Sequence, residues 1–151
     1  MASGITLDEE ALDFIAKDTK GHVYKYVIFK INDKKTKICL DQIRLISDLG
    51  ADCKTVEADK EEFKRLGEIV PKDNMRYIMY TYVDQTNNYQ RSLIRWLGPD
   101  AKVNIRMVYA SSENVIRNRL GGKLTKLMLE DEFQYPQDIF QAEDPQKKLS
   151  N

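Results

Sequence analysis

Two pairs of strand-like segments constrain this chain more than any other feature. Residues 24–31 are rich in aromatic and β-branched side chains. They run into the turn-forming Asn32-Asp33-Lys34-Lys35, and residues 36–41 return. Residues 76–83 repeat the arrangement, with the polar 84–88 as the turn and residues 90–97 as the return. Runs of this kind read as strands, and the short polar links read as hairpin turns. Helical segments surround both pairs. Strand pairs with intervening helices predict one mixed sheet packed between helices.

The helical segments follow from spacing and caps. Thr6 with Glu9 three residues later makes a capping box, and Asp8, Glu9 and Glu10 suit a helix N-terminus. Leu7, Ala11, Phe14 and Ile15 share a face, and the helix is expected to stop at Lys20-Gly21, with Gly21 left-handed. Residues 42–56 read as a loop or irregular extension, and residues 58–66 as a helix carrying Phe63 and Leu66. Gly98-Pro99-Asp100 breaks the fourth strand. Val103, Met107 and Ala110 then recur at helical spacing, with Val103 and Ala110 expected in the core. The paired Ser111-Ser112 is expected to bend this helix. Val115, Ile116, Arg119 and Leu120 continue it to Gly121-Gly122. Residues 124–129 read as a fifth strand, and 135–142 as a short helix entered at Pro136. The expected class is α+β: an α/β/α sandwich with a mixed five-stranded sheet. It occupies residues 1–143 as one domain, with a mobile start and a polar tail over 144–151.

Composition narrows the function. With 151 residues, 42% hydrophobic and 32% charged, the chain can build one core without staples. A net charge of zero gives no global sign of nucleic-acid binding. No apolar run approaches the roughly 18 residues of a membrane span. Charge is uneven, however. Residues 91–126 hold eight basic residues against two acidic ones, whereas residues 130–144 hold six acidic residues and no basic one. Such asymmetry steers an acidic partner. Cys39 and Cys53 have no metal or redox spacing. Reduced thiols in a cytoplasmic protein are the expectation.

Nothing in the chain assembles catalytic chemistry. The single histidine, His22, has no orienting neighbours in sequence. Gly121-Gly122-Lys123 lacks the spacing of a phosphate-cradling loop, and Glu130-Asp131-Glu132 reads as a solvated loop. A binding module with no cofactor is predicted, and a small enzyme of unrelated class is the remote alternative.

Residues 96–120 read Trp-Leu-Gly-Pro-Asp-Ala-Lys-Val-Asn-Ile-Arg-Met-Val-Tyr-Ala-Ser-Ser-Glu-Asn-Val-Ile-Arg-Asn-Arg-Leu. This run resembles the signature of actin-depolymerising factor/cofilin proteins, with Met-x-Tyr-Ala-Ser-Ser as its specific part. The start Met-Ala-Ser-Gly-Ile, the first hairpin and Arg76-Tyr77-Ile78-Met79-Tyr80 resemble the same family, over roughly residues 1–140. The resemblance implies the gelsolin-like architecture of an actin-depolymerising-factor homology domain. It implies binding of actin monomers, preferably ADP-loaded, and of filament sides, with filament disassembly and severing. It also implies a monomeric, cytoskeleton-associated protein, with phosphoinositides as a further ligand. The implied actin contacts are Ser3, Gly4, Ile5, Lys102, Asn104, Arg106, Met107, Ser112, Glu113 and Arg117. Arg91 would touch the filament side, and Ser3 would be a regulatory phosphorylation site. Coactosin-like and glia-maturation-factor-like regulators share the fold and are the alternatives.

The chain departs from the family where positive charge is usual. Lys102 replaces a proline, Asn104 and Glu113 stand at basic positions, and Asn87-Asn88-Tyr89-Gln90 replaces a basic cluster. The last helix is short and acidic. The expectation is that monomer binding survives while filament binding and severing are weakened.

Overall fold

The computed structural model describes residues 4–121 and 124–142. Ser3, Lys123 and the tail 144–151 lie outside the described residues. In chain order the elements are β1 (Thr6–Leu7), α1 (Glu9–Thr19), β2 (Tyr24–Ile31), β3 (Lys37–Leu45) and a 3-10 turn (Ile46–Asp48). There follow α2 (Val56–Ile69), β4 (Met75–Val83), β5 (Tyr89–Leu97), α3 (Val103–Leu120), β6 (Thr125–Glu130) and α4 (Gln137–Phe140). The sheet order is β1-β3-β2-β4-β5-β6. The β1/β3 and β5/β6 pairs are parallel and the rest antiparallel. The mixed sheet flanked by helices is as expected, with six strands instead of five.

The sixth strand comes from the start of the chain. Thr6 and Leu7 pair with Lys37 and Ile38, so Thr6 is a strand residue and cannot cap a helix. Its hydroxyl instead accepts Lys37 Nζ at 2.8 Å. Asp8 caps α1, with Oδ1 accepting the Ala11 amide at 2.8 Å. The other end of α1 needs no left-handed glycine. Gly21 has no positive φ. The buried Asp18 turns the chain instead, its Oδ1 accepting the amides of Val23 and Tyr24 at 3.0 Å each.

The second strand of the first hairpin is longer than residues 36–41. β3 continues to Leu45 through a bulge, since Ile28 faces Gln42 while Phe29 faces Leu40. Asp41 is the extra residue, and its Oδ2 accepts Arg76 Nε at 2.9 Å. Lys25 is the extra residue on the β2 side. Its fully buried ammonium reaches Asp59 Oδ1 at 2.6 Å. Asp59 also accepts the Tyr80 hydroxyl at 2.5 Å and the Val83 amide at 2.9 Å. A buried charge pair is tolerated only when its remaining hydrogen-bonding capacity is filled in this way.

Strand alternation sends side chains to two cores. On one face Val27, Phe29, Tyr77, Met79 and Leu93 meet Ala11 and Ile15 of α1 and Tyr109, Ile116 and Leu120 of α3. On the other, Ile28, Ile78, Tyr80, Ile94 and Trp96 meet Phe63 and Leu66 of α2 and Phe140 of α4. Each large side chain so buried contributes about 1.5–3 kcal/mol. Among the described residues no helix is long and apolar enough to cross a membrane.

Candidate functional site

α3 is the crossover between the parallel strands β5 and β6, so it must lie along one sheet face. Its core side is Tyr109, Ser112, Ile116 and Leu120, all buried, with steps of three and four. Two tyrosines lock it there. The Tyr77 phenol donates to the Tyr109 carbonyl, and the Tyr109 hydroxyl accepts the Ile31 amide at 2.9 Å. Burial, and then the neighbouring Tyr109 and Glu113, raise the Tyr77 pKa well above the usual phenol value. The bond to α3 is therefore held at all ordinary pH.

With that stripe facing inward, the opposite stripe is Val103, Met107, Ala110, Asn114 and Asn118, and all five are exposed. Val103 is 71% exposed and Met107 67%. Val103 and Ala110 were expected in the core and are not there. The core is filled by the stripe that starts at Tyr109, which leaves these two residues on the outer side. The paired serines do not interrupt the helix. Ser111 Oγ donates to the Val108 carbonyl at 3.1 Å, and α3 runs unbroken from Val103 to Leu120.

The expected contact residues divide into three groups. Lys102, Asn104, Arg106 and Met107 are brought together and exposed on the first two turns of α3. Arg106 Nε donates to the Ala101 carbonyl at 3.0 Å, which fixes the side chain along the helix start. Arg117 and Glu113 lie beside the outward stripe, with Arg117 donating to Asn114 Oδ1 and Glu113 paired with Arg95. Ile5 and Ser112 are buried, Ile5 in the core beneath α3 and Ser112 on its inner stripe. Gly4, beside Ile5, is exposed with φ +79°. Ser3 lies outside the described residues.

Arg91 is placed elsewhere. Its Nε donates to Asp18 Oδ2 at 2.9 Å and its Nη2 to the Asp18 carbonyl at 2.6 Å. It joins β5 to the end of α1 and is not a free surface charge. The β4–β5 turn is closed by Asp84. Burial opposes ionisation there, but donors from Thr86, Asn88 and Gln90 outweigh it and lower the carboxyl pKa. The turn carries no basic residue. Among the described residues no His, Cys, Asp and Glu cluster could hold a metal ion.

α3 thus presents a solvent-facing apolar pair on a helix pinned to a six-stranded mixed sheet. The profile of the cofilin/tropomyosin-type actin-binding proteins matches residues 4–143. The chain belongs to this family. Cofilin-family proteins are actin-binding regulators of filament disassembly and not enzymes. The chain is 30% identical to actin-depolymerizing factor 10 of Arabidopsis thaliana over 146 residues, covering 93% of this chain and 94% of the relative. It is 27% identical to a cofilin of Ogataea parapolymorpha over 130 residues, 83% and 81% of the two chains. Actin depolymerization factor 2 of Plasmodium berghei has the same fold, with a TM-score of 0.72 at 18% identity, covering 99% of this chain and 96% of that one. A Streptomyces griseoflavus cofilin superposes with a TM-score of 0.67 at 22% identity, covering 85% and 87%.

Sequence reasoning missed two features around α3 in this cofilin-family chain. Stepping from Met107 by threes and fours finds Asn114 and Asn118, so the outward stripe was readable once Met107 was placed outside. Arg95 gave no signal, because its partner Glu113 is on a different element.

Proposed function

We propose that this protein binds actin through the outward face of α3 and promotes filament turnover. The observation that carries the reading is the exposed Val103–Met107 pair on a helix whose other large apolar side chains are buried or half-buried. An unbranched, polarizable Met suits an adaptable contact with an apolar cleft. Lys102, Arg106 and Arg117 supply charge beside it for a carboxylate-rimmed partner, and Asn104 and Asn114 supply neutral hydrogen bonds. Ile5 and Ser112 act through position, since their side chains are buried: Ile5 anchors the lead-in that carries Ser3 and Gly4. Phosphorylation of Ser3 would add about −1.5 to −2 charges against an acidic actin surface. Phosphoinositide headgroups would compete for the same basic side chains. Residues 1–143 act as the unit, as a monomer in the cytoplasm, with a preference for ADP-actin and 144–151 as a tail.

The filament-side output is weak in this reading. Arg91 is committed to Asp18, the β4–β5 turn lacks basic residues, and α4 is a single turn bearing Asp138. The test compares wild type with Arg106→Ala/Met107→Ala. Affinity for monomeric ADP-actin is expected to fall roughly ten-fold or more, as for a central contact, with the fold intact by circular dichroism. An unchanged affinity overturns the helix assignment. Filament co-sedimentation and severing counts under microscopy test the second half, and severing equal to that of a vigorous cofilin overturns it.

A further inference from the structure

Glu113 is an acid on the flank of a helix that offers its basic side chains to an acidic partner, and it stands four residues before Arg117. Glu followed by Arg at this spacing is the favourable order for an ion pair along a helix. The pair does not form. Glu113 Oε1 lies 3.7 Å from Arg95 Nη1, and both side chains are about four-fifths buried, at 21% and 22% exposure. Arg117 makes no ion pair among the described residues and donates to the neutral Asn114 side chain.

Arg95 is on β5, on the sheet face that α3 covers, between Tyr77 of β4 and Met128 of β6. Its Nη2 donates to Met128 Sδ at 3.2 Å, and its Nε is buried with no acceptor. Glu113 is the carboxylate within ion-pair reach of this guanidinium, at 3.7 Å.

We propose that Arg95 is a positioning residue for actin binding: by taking Glu113 toward the sheet, it leaves the Arg117 charge free for the partner. The inference rests on the outward face of α3 being the actin-binding face. Arg95 itself touches no partner. Without it, Glu113 turns along the helix to Arg117 and cancels the charge there. The acid on the flank of this face is thereby made harmless from beneath.

The experiment measures the affinity of the full chain for monomeric ADP-actin at low and at physiological salt. Arg95→Met is expected to weaken binding about three-fold, the worth of one surface charge contact, and to reduce the salt dependence. Arg95→Met/Glu113→Gln is expected to restore both, because no carboxylate remains to neutralise Arg117. A general loss of packing at Arg95 would not be repaired by Glu113→Gln. Thermal unfolding of each variant reports that loss separately. The proposal is overturned if Arg95→Met binds like wild type, or if the double variant stays as weak as the single one. If Arg106→Ala/Met107→Ala also binds like wild type, the helix assignment itself has failed. If that variant loses binding while Arg95→Met does not, only the role of Arg95 has failed.

Discussion

The Tyr109 hydroxyl accepts the amide of Ile31 at 2.9 Å, so α3 is tied to the end of β2 by a bond spanning 78 residues of sequence. Tyr109→Phe removes the acceptor and leaves a part-buried amide unpaired. The expected loss is about 1–3 kcal/mol, read from urea unfolding. Actin affinity is expected to change far less, because the tyrosine faces away from the outward stripe.

Arg91→Ala separates a structural role from a filament contact. Asp18 is fully buried and would lose its ion pair while keeping the Val23 and Tyr24 amides. Stability is expected to fall by about 2 kcal/mol, below the roughly 3–5 kcal/mol for breaking a fully buried pair. The ratio of monomer to filament affinity is expected to stay constant. A selective loss of filament pelleting with an unchanged melting curve would contradict this assignment.

His22 gives the fold a pH dependence. Burial, then the Arg91 and Lys54 cations, lower its pKa below the ordinary value against the opposing pull of Asp18. The unfolded chain therefore takes up the extra proton first as pH falls below about 6.5. The stability His22 allows is fully present above that value and is lost progressively below it. Thermal melts at about pH 7.5 and about pH 5.5 are expected to show a smaller acid loss for His22→Gln than for wild type.

Gly98 fixes how α3 is entered. A Cβ there would sit 2.5 Å from the Lys72 carbonyl oxygen and 2.6 Å from that of Asn74. Those same carbonyls accept the Asp100 amide at 2.8 Å and the Gly98 amide at 3.0 Å. Gly98→Ala must push this latch apart. A loss of roughly 2–3 kcal/mol is expected, with weaker actin binding because Lys102 and Val103 follow directly.

Much of the fold was legible because its strands and helices announce themselves by local periodicity. The hairpins, α2, α3 and β6 lie where their patterns place them. What was hidden depends on distant pairing. β1 is two residues long and exists only because Lys37 and Ile38 are beside it. β3 extends past Asp41 because a bulge absorbs one residue, which no window of sequence displays. The family was legible from the Met-x-Tyr-Ala-Ser-Ser run, but the orientation of α3 was not. Val103 and Ala110 have apolar side chains, and only the packing of Tyr109 against Tyr77 and Ile31 decides that they face outward. The same holds for Arg91, whose charge is consumed by a residue 73 positions away.

The crossover position of α3 has a mechanical consequence. The chain enters the helix from β5 and leaves it for β6, two strands that are neighbours in the sheet. A force applied at Met107 cannot peel the helix away from one free end, because both ends run into the same slab of strands. The load arrives as shear on the Tyr77 and Tyr109 bonds and passes into β4 and β2. The helix thus works as a rail bolted at both ends to one plate.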